Sequence, residues 1–257
     1  MFDLAPHMNP RIDAPSRKSK GNRADHRTAR VSFRFVSCME LREALGKRAM
    51  DAHRLLELIE DVPADSLYYH THSYYLRHSY SQGPFPNDFA TWVALHVQDR
   101  VLAEGLGQLD PFEFEHIEQL RRAILTILGD HLNRLSTVPR CATDEPFEFM
   151  SSHIIEAELG SEVWTLPQFR DVLASVDVGA LYNHMCEARL RKGRPSGDFA
   201  IWVEEGLGMP DLAAQLVRVG RLGLSLEGMR VKLVELCDRA MRRATTEPRG
   251  DHDDDAA

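Results

Sequence analysis

The chain repeats itself, and that constrains its fold more than any other feature. Phe33-Arg34-Phe35-Val36-Ser37 returns 114 residues later as Phe147-Glu148-Phe149-Met150-Ser151. Leu45-Gly46, Leu67-Tyr68-Tyr69-His70 and Leu76-Arg77 return at the same offset as Leu159-Gly160, Leu181-Tyr182-Asn183-His184 and Leu190-Arg191. Asp88-Phe89-Ala90-Thr91-Trp92-Val93 then returns 110 residues on as Asp198-Phe199-Ala200-Ile201-Trp202-Val203, so the first copy has four extra residues around Ser79–Pro84. A unit of this length exceeds one repeat of a helical solenoid, roughly 33–47 residues. It has the size of a small domain or half-domain. The expected architecture is two tandem helical repeats, residues 31–140 and 141–244, related by a pseudo-two-fold axis and packed face to face like a fused homodimer.

The periodicity within each copy is mostly helical, and the expected fold class is all-α. Leu55, Leu56, Leu58, Ile59 and Val62 share one apolar face that Pro63 closes. Thr165, a helix-capping residue type, and Pro167 open the equivalent helix, which carries Phe169, Val172, Leu173 and Val176. A second helix begins near Ser66 and near Val178 and runs to the Gly/Pro loops. A third begins at Asn87/Asp88 and at Gly197/Asp198, with Asp as the candidate cap. In the second copy it stops at Gly206-Leu207-Gly208, and Pro210 opens another helix. A long last helix spans about Phe112–Leu135 and Leu226–Arg242. The Phe-x-Phe openings are too short to tell a strand from an extended arm.

Composition narrows the function classes. The 257 residues carry a formal net charge of −8, which argues against nucleic acid as the partner of the folded body, since neutralising phosphates needs a basic face. The ends are exceptions of opposite sign. Residues 1–30 hold seven Lys or Arg against three Asp, and residues 245–257 hold five acids against Arg249. Both are expected to be disordered tails, with the basic arm 11–30 as the one segment suited to nucleic acid or an anionic surface. The longest uncharged apolar run, Ala123–Gly129, falls far short of the ~20 residues of a membrane helix. The N-terminus has no signal-peptide pattern. Cys38, Cys141, Cys186 and Cys237 form no CxxC pair or zinc-ribbon spacing and read as buried small residues. A soluble, cytoplasmic protein is expected, with no membrane partner.

The residues kept in both copies are the candidate site. On a helix Leu67, His70 and Arg77 share a face, as do Leu181, His184 and Arg191, and Asp88 and Asp198 open the following helix close by. Two readings compete. In the structural one Asp caps its helix, His is satisfied by a carboxylate or a carbonyl, and Trp and Phe fill the core. In the functional one His70 with Asp88 and His184 with Asp198 are acid/base pairs, and Arg77, Arg191, Tyr68, Tyr182, Trp92 and Trp202 line a pocket for an anion. No nucleophile stands beside them. No metal or cofactor is expected. His70, His72, His78 and His96 make no HxxxH or HExxH, and residues two apart on a helix diverge by about 200°. Cys186 replaces His72 in the second copy without restoring a ligand pattern. Gly193-Arg194-Pro195-Ser196-Gly197 is a turn and not a phosphate loop.

Leu-Tyr-x-His, Glu187-Ala188-Arg189-Leu190-Arg191, Asp198-Phe199-Ala200-Ile201-Trp202 and Leu226-Glu227-Gly228-Met229-Arg230 together resemble a prokaryotic family known as domain of unknown function 5752, over roughly residues 31–245. The resemblance implies a duplicated helical protein and no assigned reaction. It also implies the company of carbohydrate-active enzymes and glycosyltransferases. The first copy departs from the pattern, with Thr71-His72-Ser73-Tyr74-Tyr75 where the second has its Glu-Ala-Arg run. The expectation is a non-enzymatic binding or regulatory protein, possible partners being a protein or an anionic small molecule. The alternative is an enzyme or sensor acting on an anion such as a phosphorylated sugar.

Overall fold

The computed structural model describes residues 28–80, 83–190 and 193–246. The chain opens with a 22-residue strand, β1 (Thr28–Ala49). Helices α1 (Ala52–Asp61), α2 (Ala64–His70), α3 (Ser73–Arg77), α4 (Asp88–Trp92), α5 (Arg100–Gly107) and α6 (Ile117–Leu132) follow. A 19-residue strand, β2 (Phe147–Thr165), opens the second half. Helices α7 (Leu166–Ser175), α8 (Val178–Tyr182), α9 (Ala188–Leu190), α10 (Gly197–Ile201), α11 (Pro210–Val219) and α12 (Leu226–Thr246) complete it. No helix among the described residues is long and apolar enough to cross a membrane. The basic arm falls almost wholly outside the described residues, though Thr28, Ala29 and Arg30 already belong to β1. The acidic tail beyond residue 246 also lies outside them.

The all-α expectation does not hold. β1 and β2 pair antiparallel along their whole length, from Thr28 opposite Thr165 to Ala49 opposite Phe147, and make a two-stranded ribbon. The fold is helix plus sheet. Nor are two self-contained helical repeats packed together. Phe33 and Phe35 of β1 lie in a core with Phe169, Leu173, Phe199, Trp202, Leu216 and Leu233 of the second half. Phe147 and Phe149 of β2 lie in a core with Leu55, Ile59, Leu67, Phe89 and Leu128 of the first. Each half sends its opening strand into the other half's core.

Local chemistry explains the elements. Asp51 caps α1 by accepting the Arg54 amide, and Thr165 caps α7 by accepting that of Gln168. The expected Asp caps of the third helix are a correction. Asn87 caps α4, its Oδ1 accepting the Ala90 amide at 2.8 Å, while Ser196 precedes α10 without a side-chain bond. Asp88 and Asp198 sit one residue or more inside and point elsewhere. The repeated Leu-Gly also acquires a role. Gly46 and Gly160 have φ of +67° and +70° and lie at two of the three register shifts, those between Ala44 and Arg48 and between Arg34 and Val36. They are bulge positions that a side chain would strain.

Candidate functional site

The repeated His, Asp and Trp residues converge where each strand enters the opposite core. His70 ends α2 and Asp88 starts α4, and the imidazole Nδ1 lies 2.9 Å from Asp88 Oδ2. On its other side the backbone N–H of Met150, in β2, donates to His70 Nε2 at 3.0 Å. The second half has the same arrangement. His184 Nδ1 lies 2.8 Å from Asp198 Oδ2, and the Val36 N–H of β1 donates to His184 Nε2 at 2.9 Å. An N–H donor at Nε2 requires a lone pair there, so both imidazoles are neutral with the proton on Nδ1, facing the carboxylate. Both are almost sealed, at 3% and 4% exposure.

Trp92 and Trp202 hold the same segments of chain five residues upstream, before β2 and within β1. Trp92 Nε1 donates to the Glu145 carbonyl, and Trp202 Nε1 donates to that of Val31, each at 2.8 Å. Asn183 Nδ2 adds a bond to the Val36 carbonyl at 3.1 Å. Phe rings pack round each imidazole. Phe147 is centred 4.6 Å from His70, and Phe33 4.8 Å from His184. Each half thus grips its guest strand by backbone donors and acceptors and by its Phe-x-Phe side chains. Short π-helical turns adjoin the site, Val93–Val97 and Trp202–Gly206 beside the tryptophans and Asn183–Glu187 carrying His184. Such turns are frequent at functional sites.

Among the described residues, Arg77 and Arg194 reach the two carboxylates. The expected continuous helix from Leu67 to Arg77 breaks at Thr71, and Arg77 reaches the site from α3. Its Nη2 bonds Asp88 Oδ2 at 2.5 Å, its Nη1 donates to the Tyr69 carbonyl at 2.8 Å, and its guanidinium lies over the Tyr69 ring. Glu40 of β1, its side chain almost buried, approaches the same guanidinium at 3.8 Å. Arg191 lies outside the described residues. Arg194, from the preceding turn, bonds Asp198 Oδ1 at 2.5 Å. Tyr182 is fully buried, while Tyr68 is half-buried and stands beside the His72 ring.

Electrostatics follow from this geometry. Burial pushes the His70 imidazole below its ordinary value, against the opposing pull of Asp88 and with Arg77 adding to the fall. For Asp198 burial raises the carboxyl, but the bonds from His184 and Arg194 outweigh it and leave the group below the usual carboxylate range. Burial pushes the Cys237 thiol up to about 12 and that of Cys186 higher still, so neither is a ready thiolate. Among the described residues no three His, Cys, Asp or Glu are grouped to hold a metal ion. A shallow depression of about 270 Å³ opens over the first site, bordered by His70, Asp88, Thr91, His96, Phe147 and Glu148.

Sequence reasoning picked out His70, Asp88, His184, Asp198 and both tryptophans, and the structure brings them together in two places. It missed their partners. The signal was present, since Val36 and Met150 sit at equivalent positions directly after the repeated Phe-x-Phe.

The sequence profile of a family of unknown function, DUF5752, matches residues 30–238. A solved structure, that of OrfY from Thermoproteus tenax, is similar at a TM-score of 0.68 and 26% identity, over 83% of this chain and 97% of that one. No curated protein matches. The chain belongs to the DUF5752 family.

Proposed function

We propose that this DUF5752 member is a binding protein with no catalytic reaction of its own, acting in the cytoplasm beside carbohydrate-active enzymes. One observation carries the reading. Both ring nitrogens of His70 and of His184 are occupied, one by a carboxylate and one by a backbone N–H. A general base needs its lone pair within reach of a substrate proton, and here that lone pair holds a strand. Four cysteines outside any disulfide fit a reducing compartment. The company that the family resemblance implies points to a carbohydrate-active enzyme as the partner class. An enzyme or sensor for a phosphorylated sugar has less support. The depression over His70 is walled by Asp88 and Glu148, Arg77 is already committed to Asp88, and a phosphate there would face like charge.

A thermal-shift screen against phosphorylated sugars, nucleotides and divalent metals tests this. A ligand that binds the native state raises the melting midpoint by mass action. The binding-protein reading expects no such gain that depends on the paired histidines. A phosphosugar that raises the midpoint in the native protein and not in His70→Gln would transfer the assignment to the enzyme or sensor.

A further inference from the structure

We propose that the paired imidazoles are an acid-released latch: protonating Nε2 of His70 and His184 turns the acceptor of each guest strand into a donor, and the strand openings let go of the opposite cores. Met150 N–H and Val36 N–H point at Nε2 from 3.0 and 2.9 Å. An imidazolium carries a hydrogen on both nitrogens. Two N–H groups at that distance cannot coexist, so a proton gained at Nε2 means a strand bond lost. The rings are almost sealed by aromatic neighbours, and a buried cation without solvent is costly. Each Nε2 faces its strand, so a proton gained there is accommodated by displacing that strand.

The charged surroundings fit this and set the two sites apart. Around His70 stand Asp88 of α4, Arg77 of α3, Glu40 of β1 and Tyr69 of α2. Glu148 of β2 and His96 of the π-turn after α4 border the same depression, with Glu148 paired to Arg48. One oxygen of Asp88 already serves both His70 and Arg77, so an imidazolium there would sit close to a guanidinium. Around His184 stand Asp198 of α10 and Arg194 of the preceding turn, which use separate oxygens of that carboxylate, and Glu156 of β2 acts on Arg194. Phe33 and Phe35 of β1 and Phe199 of α10 add no charge. Because β1 and β2 are bonded to each other along their length, release at one end loads the other. The latch works on the molecule as a ribbon with two ends.

The experiment is nuclear magnetic resonance of the full chain from about pH 7.5 to pH 5. It reads the imidazole ¹⁵N shifts of His70 and His184 and the exchange protection of the Met150 and Val36 amides. The expected start is a neutral ring protonated on Nδ1. As each ring titrates, protection at its partner amide should fall about tenfold per pH unit, the slope of one linked proton, while the amides of α6 and α12 stay protected. The His70→Gln and His184→Gln variants keep an acceptor and lose the titration, so their strand amides should not respond. Rings that titrate with undiminished protection at Met150 and Val36 would overturn the latch. So would the same loss of protection in the Gln variants. Should those variants not fold, the native titration decides alone: release with rings still neutral overturns the proposal, and release coincident with titration supports it.

Discussion

His70 is the residue on which the first core depends most for polar order. It accepts from Met150, donates to Asp88 and fills space among Phe89, Phe147 and Phe149. His70→Ala removes a buried acceptor, strands an amide and opens a cavity, and the stability loss should be about 2–4 kcal/mol by urea unfolding at neutral pH. His70→Gln keeps an acceptor near Nε2 and should lose less. The pH dependence has a definite sign. The folded imidazole is held below its ordinary value, chiefly by burial, whereas the unfolded one titrates near about 6.5. Between those values the unfolded chain binds more protons, so native stability falls as pH drops below about 6.5 and levels off once the folded ring titrates. The His70→Ala variant should lack that slope. The residues of this site were legible because both copies retain them. Their partners were marked only by position, directly after the repeated Phe-x-Phe, because a backbone N–H gives no residue-type signal and Met150 differs from Val36 in type.

Among the elements, the ribbon was the hardest to read. Its middle is largely exposed and charged, through Arg42, Glu43, Glu156 and Glu158, and its apolar residues Met39, Leu41, Ile155 and Leu159 are exposed too, so no buried face marks it as a strand. Alternate residues are buried at the Phe-x-Phe openings, and the pairing that makes them strands spans over a hundred residues of chain. Helices with a clear face, such as α1 and α7, appeared where the spacing put them, because a 3.6-residue period is a local property. The break at Thr71 and the π-turns did not, since tertiary contacts decide both. The glycines of the ribbon carry a testable consequence. A methyl at Gly46 or Gly160 would meet no atom within 4 Å, so any cost of Gly46→Ala or Gly160→Ala comes from the positive φ alone. Each should lose about 1–2 kcal/mol in urea unfolding. Asn, which tolerates that region better, should lose less at both positions.

At the scale of the molecule the two cores are mutually dependent. Neither half owns the strand that closes it, since Phe35 and Phe149 are each 1% exposed in the core of the opposite half. The duplication foretold two similar halves and left unsaid which strand serves which core, because equivalent segments match either site equally well in sequence. Nuclear Overhauser contacts between aromatic ring protons answer that directly. Phe35 lies stacked on Phe169 with centroids 5.5 Å apart, and Phe149 lies 5.9 Å from His70 and 6.4 Å from Phe89. Cross-peaks are expected from Phe35 to Phe169 and from Phe149 to His70. Cross-peaks from Phe35 to Phe89 and His70, with Phe149 contacting Phe169, would mean that each strand stays with its own half and would contradict the strand exchange.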